Sequence, residues 1–306
     1  MGSLDGRVAI VTGAGRGLGR AHALALAEQG AAVVVNDPGT SGDGLGVDET
    51  PAQQVVAEIE KLGGRAVANL DSCADWTAAE GLISQAVDTF GSLDILVNNA
   101  GILRDKMSFN MSESEWDAVM EVHLKGHFAP SRFAAAYWKA KAKAGDEVYG
   151  RIINTSSESG YIGLVGQVNY ATAKAGIVGM TLAMARELDR IGVTVNAIAP
   201  RARTRMTTGS FSGYREIPEG EFDDRAPENV SAVVAWLASP WAQHISGKVF
   251  VCYGGDVELQ SPIETSVHLS VGDRAWTVEE LAARADEFFP GDSAPGVLPL
   301  RAGIGG

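Results

Sequence analysis

Val8-Ala9-Ile10-Val11-Thr12-Gly13-Ala14-Gly15-Arg16-Gly17-Leu18-Gly19 reads as a strand, a glycine turn and the first turn of a helix within one window. Three β-branched residues in an unbroken apolar run predict a strand buried on both faces, as in a parallel sheet. The glycines let the backbone turn sharply. The alanine- and leucine-rich segment that follows favours helix. A strand leaving through such a turn into a helix opens a βαβ unit, because parallel strands need a crossover between them.

Outward from this window the same alternation recurs. Strands are expected at Arg7–Thr12, Ala32–Asn36, Arg65–Leu70, Leu93–Val97, Gly150–Ser156, Val193–Ala197 and Lys248–Tyr253. Helices are expected at Leu18–Gln29, Ala52–Leu62, Trp76–Phe90, Ser114 to about Lys143, Tyr170–Leu188 and Asn229–Ala238. The fold class is therefore α/β: a single Rossmann-type, doubly wound, seven-stranded parallel sheet with helices on both faces. Residues 1–258 form this dinucleotide-binding domain, and residues 259–306 an extension with an excess of acidic residues. Pro38–Thr50 is a Gly- and Asp-rich insertion where about 2–6 residues are usual. Met206–Pro227 reads either as a lid over a cleft or as a passive surface loop. Trp276–Phe289 is compatible with one amphipathic helix behind the cap-like Thr277. The acidic tail is either docked, including across a subunit boundary, or frayed.

Of the 306 residues, 38 are acidic and 25 basic, a formal charge of −13. That sign repels phosphate backbones, so no nucleic-acid partner is expected. Cys73 and Cys252, the only cysteines, are far apart and offer neither a disulfide framework nor a zinc site. No metal is expected. A reducing cytoplasm follows, with no membrane span, since no uncharged apolar stretch approaches about 18 residues.

The glycine turn is suited to a dinucleotide. Gly13, Arg16, Gly17, Leu18 and Gly19 would bring backbone N–H groups and the positive end of a helix dipole to a pyrophosphate. Asp37 follows the second strand, 18 residues beyond Gly19, close to the spacing at which a carboxylate meets the adenosine ribose. A carboxylate there repels a 2′-phosphate and favours NAD; Arg16 in the turn could pair with that phosphate and argues for NADP. The nearer charge, Asp37, is weighted more. Asp71 either accepts from the adenine amino group or caps the helix after it.

Tyr170 and Lys174 are four residues apart, one above the other on a helix. A phenol with an ordinary pKa of about 10 is a poor base at neutral pH unless a neighbouring cation stabilises phenolate. Ser157 stands 13 residues earlier, at the carboxyl end of a predicted strand, where open α/β sheets place ligands. Together they suit proton exchange at a carbon–oxygen unit that gains or loses hydride.

These pieces resemble the short-chain dehydrogenase/reductase family. The matches are Thr12-Gly13-x-x-x-Gly17-x-Gly19, Asn98-Asn99-Ala100-Gly101, Ser157, Tyr170-x-x-x-Lys174 and Ala199-Pro200, in the family's order over residues 5 to about 258. Within the family the chain is most similar to the (3R)-hydroxyacyl-CoA dehydrogenase part of the peroxisomal multifunctional enzyme and its bacterial single-domain relatives. The local matches are Val35-Asn36-Asp37, Ala66-Val67-Ala68-Asn69, Gly101 to Asp105, Val122 to Gly126 and Arg205-Met206-Thr207.

The resemblance implies that Asn98, Ala100 and Gly101 brace the fourth strand beside the cofactor, that Lys174 also reaches the nicotinamide ribose, and that Thr204, beyond Pro200, holds the carboxamide. His123 stands where most members carry asparagine. Either it takes that residue's part in a proton relay from the lysine, or it is a packed helical histidine. Arg201, with Arg203 and Arg205, would contact an anionic substrate or pair with Glu219, Glu221 and Asp223.

The expected activity is NAD-dependent interconversion of a secondary alcohol and a ketone, as a 3-hydroxyacyl-CoA/3-oxoacyl-CoA pair. A hydroxysteroid or an acyl-carrier-protein substrate is the alternative, and a non-catalytic NAD-binding regulator a remote one. Apolar residues around both long helices (Val119, Phe128, Phe133, Ala136 and Ile177, Met180, Leu182, Met184) suggest a homodimer or homotetramer.

Overall fold

The computed structural model describes residues 2–39, 50–203, 217–218, 221–261 and 264–289. Among them, β1 (Val8–Thr12), β2 (Ala32–Asn36), β3 (Arg65–Asn69), β4 (Ile95–Asn98), β5 (Gly150–Thr155), β6 (Val193–Pro200), β7 (Val249–Tyr253) and β8 (Asp256–Leu259) form one sheet in the order β3-β2-β1-β4-β5-β6-β7-β8. The first seven pair in parallel.

The eighth strand corrects the expected count of seven. It runs antiparallel to β7, with Tyr253 opposite Asp256 across a Gly254-Gly255 turn, and Gly254 sits at φ 49°. This edge strand is largely exposed, with Val257 and Leu259 more than half accessible. Without a buried face it lacks the apolar run that marks its neighbours, although two glycines between short strands are a hairpin signal.

The helices are α1 (Gly17–Glu28), α2 (Thr50–Lys61), α3 (Trp76–Phe90), α4 (Glu113–Met120), α5 (Gly126–Ala144), α6 (Ser159–Ile162), α7 (Val168–Leu188), α8 (Pro227–Ala238) and α9 (Val278–Ala283). Side chains alternate across the strands. Ala9, Val11, Val33, Val35, Val97 and Ile153 therefore pack in the layer of α1, α2 and α8. Val8, Ile10, Val34, Leu96 and Ile152 pack in that of α3, α5 and α7. Cover on both faces explains why β1 and β2 are buried at every position.

The single helix expected from Ser114 to Lys143 is interrupted. Residues Glu121–Lys125 form a π-turn between α4 and α5 and carry His123; one such widened turn re-aims side chains at functional sites. β6 runs to Pro200, three residues further than expected, because Pro200 pairs with Cys252 of β7. Of the apolar residues read as surplus, Val119, Phe133, Ile177 and Met184 are buried within the chain, whereas Phe128 is 44% exposed beside Trp76.

The chain divides into two compact units, one through Leu259 and the other from Gln260. In the second, Thr277 caps α9 in a capping box with Glu280, which also pairs with Arg274. The helix ends at Ala283 and a 3₁₀ turn, Ala285–Phe288, follows, so the expected continuous helix is shorter.

Candidate active site

The carboxyl ends of β1, β2, β4, β5 and β6 converge on one edge of the sheet, and the strand order reverses between β1 and β4. Such a switch point is where doubly wound sheets open a crevice. The turn leaving β1 holds Gly13 at φ 62° and Gly17 at φ 52°, a region that disfavours side chains. Thr12 Oγ1 accepts from the N–H groups of Asn99 and Ala100, at 3.0 and 3.2 Å, and Asn99 Nδ2 donates to the carbonyls of Thr12 and Gly13. The glycine turn is thus stitched to the exit of β4. Arg16 is the N-cap of α1, in extended conformation and without a side-chain cap to the helix N–H groups.

Asp37 lies at the end of β2, where Oδ2 accepts from Gly15 N–H at 2.8 Å and Oδ1 from Gly39 N–H at 2.7 Å. A methyl group on Gly15 would stand 2.8 Å from Asp37 Oδ2. This close cradle of backbone around a fixed carboxylate fits the ribose and pyrophosphate of a dinucleotide. Asp71 is exposed beyond β3 and is not a helix cap: Asp75 caps α3 by accepting from Ala78 N–H. Asn36 and Asn69, bonded to each other at 2.6 Å, hold the Asp71 backbone.

Asn98 is buried and donates to Ser131 Oγ and Asn154 Oδ1, so it ties β4 to β5 and to α5. Gly101 admits the His123 ring: a methyl there would lie 2.6 Å from His123 Cε1. His123 Nε2 engages the Ile102 backbone at 2.8 Å, and the ring stands edge-on to Tyr170 at 5.3 Å between centroids. Sequence reading missed His127, one turn further on, which is buried 6.5 Å from His123 with no hydrogen bond to either ring nitrogen among the described residues. The i, i+4 spacing of the two histidines was the available signal.

Ser157, Tyr170 and Lys174 do converge. Ser157 follows β5 and Tyr170 lies in the first turns of α7, where the Ser157 side chain acts on the Tyr170 phenol. Lys174 Nζ donates to Thr155 O at 2.6 Å and sits 5.4 Å from the Tyr170 ring centroid, while Ser156 Oγ donates to Lys174 O at 2.9 Å. Helix and strand end are joined in both directions.

The electrostatics differ from the expectation. Burial pushes the Tyr170 phenol up to about 12; the Ser157 hydroxyl opposes this, and the Asp105 carboxylate adds to it. Burial also brings the Lys174 amine down to about 7. Desolvation of both groups therefore outweighs the attraction that the spacing alone suggested. Pro200 ends β6, and Thr204, like Arg205 and most of the stretch read as a lid, lies outside the described residues. Arg203 pairs with Asp223, one of the two alternatives left open by the sequence, whereas Arg201 pairs with Glu158, which neither alternative included.

Three buried histidines carry a stability prediction. Burial holds His22 and His123 down to about 3, and His127 well below its ordinary value. Between pH 6.5 and 3 the unfolded chain therefore binds protons that the folded chain refuses. Stability is full above 6.5 and falls as pH drops, by up to about 1.4 kcal/mol per pH unit for each histidine. Urea titrations at pH 7 and pH 5 should differ by on the order of 6 kcal/mol, and equal midpoints would show that the rings take up protons without unfolding.

A model of the family described as short chain dehydrogenase matches residues 7–214. Hydroxyacyl-CoA dehydrogenase ChsB1 of Mycobacterium tuberculosis is 48% identical over 290 residues, 94% of this chain and 90% of that protein. Peroxisomal multifunctional enzyme type 2 of Mus musculus is 47% identical over 233 residues, 76% of this chain but 30% of that longer protein. The crystal structure of a short chain dehydrogenase from Mycobacterium avium superposes with TM-score 0.86 at 52% identity, over 98% of this chain and all of the other.

Proposed function

The chain belongs to the short chain dehydrogenase family, oxidoreductases that act on CH–OH groups with a nicotinamide dinucleotide, and on that premise we propose that it interconverts a 3-hydroxyacyl-CoA and a 3-oxoacyl-CoA with NAD. The observation that carries the chemistry is Lys174 Nζ held by the Thr155 carbonyl at the end of β5, two residues before Ser157, and 5.4 Å from the Tyr170 ring, with only β4 between this group and the glycine cradle. The acyl-CoA substrate is supported by the named activity of the Mycobacterium tuberculosis relative, which aligns with nearly the whole chain.

Nicotinamide, when bound, gives or accepts hydride at C4. Gly13, Gly17, Leu18 and Gly19 would hold its pyrophosphate, Asp37 the adenosine ribose, and Asp71 the adenine edge. Ser157 donates a hydrogen bond to the substrate oxygen. Tyr170 gives that oxygen a proton in reduction and removes it in oxidation. Lys174, near its midpoint at neutral pH, can supply charge or exchange a proton behind the phenol.

NAD is favoured over NADP by the placement of Asp37, fixed by two backbone N–H groups and unable to swing away from a 2′-phosphate. Like charges in contact cost several kcal/mol, and every 1.4 kcal/mol is tenfold. Initial rates with acetoacetyl-CoA should favour NADH over NADPH by about 100-fold in kcat/KM, and Asp37→Ser should reduce that ratio at least about tenfold. An NADPH preference in the unaltered protein would overturn the assignment. The exposed Phe128 and Trp76 support a homo-oligomer, and sedimentation at a single monomer mass would contradict it. Among the described residues no helix is long and apolar enough to cross a membrane.

A further inference from the structure

Glu158 immediately follows Ser157, and Arg201 immediately follows Pro200, where β6 ends. Their side chains meet across 43 residues of sequence: Arg201 Nε donates to Glu158 Oε2 at 2.5 Å and Nη2 to Oε1 at 2.7 Å. Both arms of the guanidinium fork are used, and the two side chains are only 18% and 12% exposed. The guanidinium also lies 4.3 Å from the centroid of the Tyr253 ring on β7, whose hydroxyl donates to Glu258 of β8 at 3.0 Å. Arg201 N–H donates to Cys252 O, and Ser156 N–H to Ile198 O. The exits of β5, β6 and β7 are thereby bound into one block.

We infer that Glu158 and Arg201 are positioning residues, a two-armed clamp that sets the distance between Ser157 and the chain leaving β6. The inference rests on the reading of Ser157, Tyr170 and Lys174 given above. In that reading Ser157 fixes the reacting oxygen, and the chain beyond Pro200 borders the nicotinamide end of the crevice. The clamp therefore governs how carbon and hydride line up.

Three physical points support it. An ion pair withdrawn from water gains little net stability over an apolar pair, since desolvation offsets attraction, so its retention here is better explained by the geometry it imposes. A guanidinium and a carboxylate joined by two parallel bonds resist rotation as a lysine pair would not. Finally, the Arg201 charge is satisfied by Glu158 and stacked on Tyr253, which leaves the substrate-anion role read from the sequence without support.

The test uses the full chain with acetoacetyl-CoA and NADH. A misplacement of about 1 Å can cost on the order of 100-fold in rate. Glu158→Gln and Arg201→Met should each lower kcat about 10- to 100-fold, leave the dinucleotide Kd within about twofold, and enlarge the isotope effect from 4-deuterated NADH as hydride transfer becomes limiting. Arg201→Lys, which keeps the charge and loses the fork, should fall between. The exchanged pair Glu158→Arg with Arg201→Glu should recover at least about tenfold over the worse single variant, the non-additivity expected of directly coupled groups.

Full kcat in folded Arg201→Lys and Glu158→Gln would overturn the clamp, as would a loss confined to KM. Tyr170→Phe separates the two readings. If it is inactive while the clamp variants run at full rate, only the clamp fails; if it turns over normally, the acid–base reading beneath it fails.

Discussion

Tyr170→Phe is expected to lower kcat for acetoacetyl-CoA reduction by about 10³-fold or more while the dinucleotide Kd stays within about twofold. Proton transfer by a placed side chain is worth about 10² to 10⁴ in rate, and phenylalanine removes only the oxygen that makes the transfer. The ring stays anchored, because its neighbours are His123 edge-on and the apolar cluster of Ile102, Val119 and Ala173. The pH dependence gives the same group an independent signature. With the phenol held near 12 by burial, Tyr170 is protonated at neutral pH and is ready to donate in reduction. Oxidation needs the phenolate, whose population grows about tenfold per pH unit below the pKa. Oxidative kcat/KM should therefore climb with a slope near one between pH 6 and 9, while reduction stays flat over the same range. Tyr170→Phe should abolish the slope. A flat oxidative profile in the unaltered protein, or a phenylalanine variant with normal kcat, would remove Tyr170 from the proton transfer.

Gly19→Ala should be nearly as damaging by a different route. The added methyl would stand 2.1 Å from Gly13 O and 2.6 Å from Asn99 Nδ2. Neither atom can retreat cheaply: the first is turn backbone, and the second already donates to the carbonyls of Thr12 and Gly13. Overpacking of this kind costs about 1–3 kcal/mol or more, and it falls on the turn proposed to cradle the pyrophosphate. Dinucleotide affinity, followed by quenching of tryptophan fluorescence, should weaken at least about 100-fold. Gly81→Ala is the contrast. In the interior of α3 nothing lies within 4 Å of the added atom, so the helix should gain up to about 1 kcal/mol with binding unchanged. Equal binding in both variants would mean that the turn after β1 does not hold the ligand.

Much of this arrangement was legible before any coordinates. Glycines after an apolar run announce both the strand exit and its conformation, and the four-residue step from Tyr170 to Lys174 places the two on one helix face. The misses share a cause. Glu158 takes its partner, Arg201, from 43 residues away, and the cap of α3 is settled by competition among neighbours, neither of which spacing records. Asp75 displaced Asp71 as the cap because its backbone, and not that of Asp71, leads directly into the helix. β8 escaped notice because an exposed edge strand need not be apolar.

The amino-acid order by itself determined the doubly wound architecture, the crevice at the carboxyl edge and which side chains stand there, since periodicity and glycine placement are local properties of the chain. Packing alone decided what those side chains are worth. It withdrew Tyr170 and Lys174 from water and so moved both proton affinities, it opened a π-turn that lays His123 against Gly101, and it gave the Arg201 charge to Glu158. Desolvation and long-range pairing depend on which surfaces meet, and that is settled only when the sheet and its two helical layers close.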